Sequence, residues 1–135
     1  MIEKITSHDS TLHVVCQHQD EKNERTDIVD ENEYLQVSLL NLSSGRTFDP
    51  HIHIKKKLED HTQTTQEVWI VISGSVRVDY FDTNGSFIDS RIIHKGDISI
   101  TLRGGHSYTV LEDNTLVYEC KTGPYYGLEK DKVFI

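Results

Sequence analysis

Residues 45–74 read GRTFDPHIHIKKKLEDHTQTTQEVWIVISG, and the spacing inside this stretch decides how the rest of the chain is read. His51 and His53 flank Ile52, so on a β-strand both imidazoles leave the same face. Glu67 opens an apolar run in which alternation sets Glu67, Trp69 and Val71 on one face and Val68, Ile70 and Ile72 on the other. Both faces are apolar, so this strand needs two covers: a barrel interior on one side, and further strands, the tail or a partner subunit on the other. A homodimer supplies that second cover. Gly74 closes the run at a turn.

Outward from this stretch the same short, Val-, Ile-, Tyr- and Thr-rich segments recur, with no sustained 3.6-residue period. Strands are predicted at 11–16, 33–42, 48–54, 67–72, 76–81, 87–94, 98–102, 106–111 and 116–121. Turn residues separate them at Gly74-Ser75, Thr83-Asn84-Gly85, Lys95-Gly96-Asp97, Gly104-Gly105 and Glu112-Asp113-Asn114. An all-β chain punctuated in this way folds as a sandwich or barrel. The charged patch HQDEKNERTD (18–27) reads as a solvated loop, and the tail GPYYGLEKDKVFI (123–135) as a short helix or an arm.

The 135 residues suit one domain, 1–135. An apolar fraction of 36% with 27% charged residues is that of a soluble globular protein, and no apolar run approaches the roughly 20 residues of a membrane helix. The polar N-terminus lacks the pattern of a secretory signal, so a cytoplasmic location is expected, with Cys16 and Cys120 as free thiols of no assigned role. A net charge of −8 argues against non-specific binding to nucleic acid. Locally the sign reverses, because Arg46 precedes the histidine pair and Lys55, Lys56 and Lys57 follow it, which suits an anionic small molecule.

Two imidazoles on one strand face offer two nitrogens to a divalent transition metal, which then needs one or two further ligands. Glu67 is the nearest sensible carboxylate and His106 a third imidazole. The competing roles are a surface or hydrogen-bonded structural histidine pair and, for Glu67, a salt bridge to a lysine of the 54–66 segment. Trp69 and Tyr108 share the inward parity of Glu67 and His106 and are candidates to line a pocket, with core filling as the alternative for Trp69; Arg46 and Lys55 are candidates for its basic rim. Tyr80, Tyr118 and Glu119 are open as acid or base groups.

Gly45 followed by His51 and His53, and Glu67 followed by Gly74, resemble the two halves of the first cupin motif. Gly96 with DISITLRGGH resembles the second. This resemblance implies a small jelly-roll barrel, with extra N-terminal strands and a short C-terminal tail. It also implies one divalent metal (Fe, Mn, Zn or Ni) held by His51, His53, Glu67 and His106. The sequence departs from the motifs in placing thirteen residues, 54–66, between His53 and Glu67, in having Leu102 where proline is usual, and in the spacing of Gly104 and His106. Lengthening the connection from about 4 to 13 residues costs only about 1 kcal/mol of loop-closure entropy, so an extended hairpin is expected, with Glu59, Asp60 and His61 at its tip. His61 then lies roughly 20 Å from the metal and is no ligand. The tail, KTGPYYG followed by DKVF, resembles that of small bacterial cupins associated with surface-polysaccharide or nucleotide-sugar genes. The implied function is a metal-dependent isomerase, epimerase or oxygenase acting on a small polar or anionic, sugar-like metabolite. The alternatives are a non-catalytic small-molecule-binding cupin and a structural accessory of polysaccharide biosynthesis.

Overall fold

The computed structural model describes residues 2–16, 22–58 and 62–135. The strands, in chain order, are β1 (Ile2–Ser7), β2 (Ser10–Cys16), β3 (Arg25–Asp27), β4 (Leu35–Leu42), β5 (Thr47–His53), β6 (Lys55–Lys57), β7 (Thr62–Thr64), β8 (Glu67–Ser73), β9 (Ser75–Phe81), β10 (Phe87–His94), β11 (Ile98–Thr101), β12 (Gly105–Val110), β13 (Thr115–Thr122) and β14 (Lys132–Phe134). They form two five-stranded antiparallel sheets, β10-β9-β12-β5-β14 and β11-β8-β13-β4-β3, and two hairpins, β1-β2 and β6-β7. This is the jelly-roll arrangement expected from the sequence.

Alternation builds the core. In β8 the inward row Glu67, Trp69, Val71 is buried, and in β13 the inward row is Thr115, Val117, Glu119, Lys121. Leu40, Leu42, Trp69, Val71 and Val117 from one sheet meet Val76, Val78, Ile93, Tyr108 and Val110 from the other. Trp69 stacks on Tyr108 with ring centroids 3.7 Å apart, and Phe48 meets Trp69 edge-on at 5.1 Å. Gly74 turns β8 into β9 with φ at +82°, and an added Cβ would stand 2.8 Å from the Thr115 Cα, so both the backbone and the close approach call for glycine.

The outward face of the β8 sheet carries a second apolar cluster of Ile28, Leu39 and Leu116, against which Val14 and Cys16 of β2 pack. The expected second cover is thus partly supplied by the chain's own N-terminal hairpin. At the β11 edge it is missing, since Ile98 and Ile100 are 55% and 60% exposed. Among the described residues no helix is long and apolar enough to cross a membrane.

Two local expectations need correction. The patch 18–27 is not all loop, because Arg25–Asp27 adds β3 to the edge of a sheet. The Arg25 guanidinium there donates to Asp27 of its own strand, to Ser38 on the strand it joins and to Glu119 on the strand beyond, so a polar segment finds side-chain partners in the sheet. The tail, expected as a short helix or an arm, holds a short helix followed by a strand rather than an arm. A single 3-10 turn, Leu128–Lys130, leads into β14, which pairs with the histidine strand in the register Lys132↔His53 and Phe134↔His51. The insertion after His53 forms the β6-β7 hairpin, with Lys55 opposite Thr64. Its expected tip, Glu59, Asp60 and His61, lies outside the described residues, as do 17–21.

Candidate metal centre

β5 turns His51 and His53 into the barrel, and β12 pairs with β5 so that His106 stands opposite His51. Glu67 projects from the facing sheet at the start of β8. All four side chains are buried. One ligand atom from each of the three histidines lies within 4.8 Å of the other two, a grouping able to hold a metal ion. Nε2 of His51 is 3.1 Å from Nε2 of His106. Nε2 of His53 is 3.0 Å from Glu67 Oε2, and Nε2 of His106 is 3.5 Å from Glu67 Oε1.

The outer nitrogen of each ring is directed elsewhere. Nδ1 of His51 lies 2.6 Å from the Asp49 carbonyl oxygen, which can only accept, so this nitrogen carries the proton and Nε2 keeps its lone pair. Nδ1 of His106 lies 2.6 Å from Thr101 Oγ1 and 3.0 Å from the Tyr108 hydroxyl, which itself donates to Glu67 at 3.4 Å. Nδ1 of His53 faces Asp131 at 3.3 Å. The His51 and His106 lone pairs, 3.1 Å apart, repel unless a proton or a cation lies between them. Both His53 nitrogens are buried at ion-pair distance from carboxylates but without hydrogen-bond alignment. A donor set of three Nε2 atoms and a carboxylate suits a divalent transition metal, and the buried, unaligned His53 Nε2 fits a ligand nitrogen.

For His51, His106 and Glu67 the electrostatics agree with that role. Burial, with a contribution from Lys132, lowers His51 to about 4, and burial lowers His106 to about 3, so both rings stay neutral at pH 7 as ligation requires. Burial opposes ionisation of Glu67, but the His53 ring 3.0 Å away and the neighbouring His106 hold its carboxyl well below the usual range. Burial would lower His53, and the Asp131 and Glu67 carboxylates outweigh it and raise it instead.

The remaining sequence candidates separate by position. The Tyr108 hydroxyl reaches the centre, while Trp69 lies one layer deeper and donates its Nε1–H to Glu119 at 3.0 Å. Arg46 sits away from the histidines, its guanidinium 4.3 Å over the Phe48 ring and paired with Glu24 at 3.0 Å. Lys55 is exposed on the outside of its hairpin, because strand alternation turns its neighbour Lys56 inward instead. Glu119 is taken up by Trp69 and Arg25, the Tyr80 hydroxyl by Ser99 at 2.9 Å, and Tyr118 packs in the outward cluster.

Reading the sequence missed the role of Asp131, which is fully buried behind His53 and beside the buried Lys56 and Lys121. Asp131 Oδ1 is 2.8 Å from Lys56 Nζ, and its Oδ2 is 3.6 Å from both Lys121 Nζ and Lys132 Nζ. Asp131 opens the DKVF of the tail resemblance, but nothing in that motif gives it a partner, since its place behind His53 follows from the β14–β5 pairing.

No protein-family profile and no curated protein sequence matches the chain. Solved structures do. KdgF from Halomonas sp. superposes with a TM-score of 0.57 at 18% identity, over 73% of this chain and 76% of that one. The capsular polysaccharide assembling protein CapF from Staphylococcus aureus gives 0.67 at 19%, over 87% of this chain and 31% of CapF. A Bacillus subtilis oxalate decarboxylase gives 0.54 at 20%, over 76% and 24%. The chain therefore spans about a third of CapF and a quarter of the decarboxylase. These are cupin-fold proteins, and the present chain has the cupin fold.

Proposed function

We propose that this cupin-fold chain binds one divalent transition metal (Fe, Mn, Zn or Ni) through His51, His53, His106 and Glu67, and acts on a small anionic, sugar-like metabolite. The observation that carries the proposal is the convergence of three Nε2 atoms on one another and on Glu67, with Nδ1 of each ring directed to a group behind it. A bound ion would supply Lewis-acid polarisation of a substrate oxygen. The chain's own residues supply the rest. Lys121 stands cross-strand from Glu67, and Lys132 from His53. With Lys56 they bring three ammonium groups to a site holding the carboxylates of Glu67 and Asp131, and a divalent ion would add two more positive charges. That balance favours an anionic ligand such as a carboxylate or phosphate. The Tyr108 hydroxyl, raised by burial and by the Glu67 charge, keeps its proton at the edge of the centre, as isomerase or epimerase chemistry needs from an acid group.

A second reading is a binding or accessory role without turnover. It is favoured by the likeness to CapF, described as a capsular polysaccharide assembling protein, and by the tail KTGPYYG with DKVF. The exposed Ile98 and Ile100 favour a homodimer through the outer face of the β8 sheet. Sedimentation equilibrium should then give twice the 15.5 kDa chain mass, and a monomer at all concentrations removes this part. The metal reading is tested by elemental analysis of protein purified without added metal. It expects one transition-metal equivalent per chain, lost in the H51A/H53A variant, and unchanged metal content in that folded variant would sink it. Uronic acids or sugar phosphates should raise the melting temperature of the wild type only when metal is present.

A further inference from the structure

Asp131 belongs to a segment that sequence reasoning assigned to a tail, yet it is the one aspartate among the described residues with 0% exposure. Its main chain is held on both sides: Asp131 N–H donates to the Leu128 carbonyl at 3.1 Å, and Ile54 N–H donates to the Asp131 carbonyl at 3.0 Å. The second bond joins it to the residue after His53. The side chain then meets two kinds of neighbour. Oδ2 is 3.3 Å from His53 Nδ1, the nitrogen facing away from the centre. The same Oδ2 is 3.6 Å from both Lys121 Nζ and Lys132 Nζ, and Oδ1 is 2.8 Å from Lys56 Nζ. Lys56 also donates to the Pro124 carbonyl at 3.0 Å, so the segment before β14 is tied into the same cluster.

We infer that Asp131 is the positioning residue for His53, so that docking of the C-terminal strand and affinity for the metal are coupled. The inference rests on the metal-binding reading above. A carboxylate behind a ligand imidazole does two things. It selects the tautomer with the proton on Nδ1, leaving the Nε2 lone pair for the ion, and it raises the basicity of that lone pair. Asp131 stands within reach to do both for His53, at ion-pair distance though without the alignment that the Asp49 carbonyl has with His51. It has a further role that the Asp49 carbonyl lacks. Three buried or nearly buried ammonium groups gather on this carboxylate beside His53, and without its charge their field would act uncompensated on a dication at Nε2. The residue that orients the ligand therefore also shields the ion, and it arrives on the last strand of the chain.

The test compares the affinity of the full chain for Zn(II), by competition with a chromophoric chelator, in wild type, Asp131→Asn, Asp131→Ala and Glu129→Ala. Glu129 is exposed on the same turn and serves as the control. Asp131→Ala should weaken Zn(II) binding by about 10- to 100-fold, the range usual for a group behind a metal ligand. Asp131→Asn keeps an acceptor but no charge and should fall between the two, with Glu129→Ala unchanged. A folded Asp131→Asn that binds Zn(II) as tightly as wild type overturns the inference. Because removing the carboxylate leaves lysines unpaired and risks misfolding, a second measurement uses the wild type alone. Nitrogen-15 spectra of its histidine rings with Zn(II) bound should show His53 ligated through Nε2 and protonated at Nδ1, and ligation through Nδ1 contradicts the inference. Failure of the parent reading looks different, since wild type would then bind no Zn(II) at all.

Discussion

Trp69→Phe probes the junction between core and site. Trp69 is fully buried, stacked on Tyr108 at 3.7 Å, edge-on to Phe48 at 5.1 Å, and donates its Nε1–H to Glu119 at 3.0 Å. Phenylalanine keeps a ring in the stack but vacates the volume of the indole five-membered ring. Full truncation of such a residue costs about 3–5 kcal/mol, so this partial loss accounts for about 1–2 kcal/mol. The hydrogen bond to a buried carboxylate adds about 1.5–3 kcal/mol, toward the lower end because Arg25 still reaches the other oxygen at 3.2 Å. The sum is about 3 kcal/mol, or about 10 °C in melting temperature for a domain of this size. Urea melts should be followed by far-UV circular dichroism, because Trp69 is the only tryptophan. A double-mutant cycle with Glu119→Leu should return a coupling of about 1–2 kcal/mol. A loss under about 1 kcal/mol, or an additive cycle, would refute the packing and hydrogen-bond argument together.

Acidification should weaken the metal-free protein. His51 and His106 are lowered from 6.5 to about 4 and about 3, so between pH 6.5 and 4 the unfolded chain takes up protons that the folded one refuses, and stability falls as pH falls. His53 runs the other way: its raised value adds stability below pH 6.5 that is lost as pH rises through the folded value, and this offsets part of the change. The lowered values of Glu67 and Asp131 contribute above their unfolded values of 4.5 and 3.8 and are lost only at lower pH. A melting temperature that stays level or rises from pH 7 to pH 4 contradicts the assignment of neutral, buried imidazoles. Two glycines with the same backbone sign should behave differently. Gly74→Ala combines a left-handed φ of +82° with a Cβ 2.8 Å from the Thr115 Cα and should cost about 3 kcal/mol. Gly45→Ala, at φ +84° with nothing within 4 Å, should cost about 1 kcal/mol, and equal losses in calorimetry would show that the close approach does not matter.

The parts of the fold that alternate were legible in the sequence. His51 with His53, and Glu67 with Trp69 and Val71, face inward because period-2 parity is local and a buried strand face leaves it little freedom. The turns at Gly74 and Gly96 were equally plain, both having positive φ. Pairing partners brought in from elsewhere were not legible. Arg25–Asp27 looked like loop because its residues are charged or polar although it pairs with β4, and the role of Asp131 could not be read from DKVF because it depends on which strand β14 joins. Lys55 and Lys56 show the limit within one triplet. The basic run was recognised, but which lysine turns inward depends on the bend between β5 and β6, and the structure chooses Lys56.

The central claim is that four side chains hold one ion, and anomalous diffraction tests it most directly. Crystals grown with Mn(II) or Zn(II), measured on either side of the metal absorption edge, should give one strong peak per chain. It should lie at bonding distance, about 2.0–2.2 Å, from Nε2 of His51, His53 and His106 and from a Glu67 oxygen. No peak among these residues at saturating metal, or a peak bound elsewhere while the histidines remain paired with one another, would contradict the account.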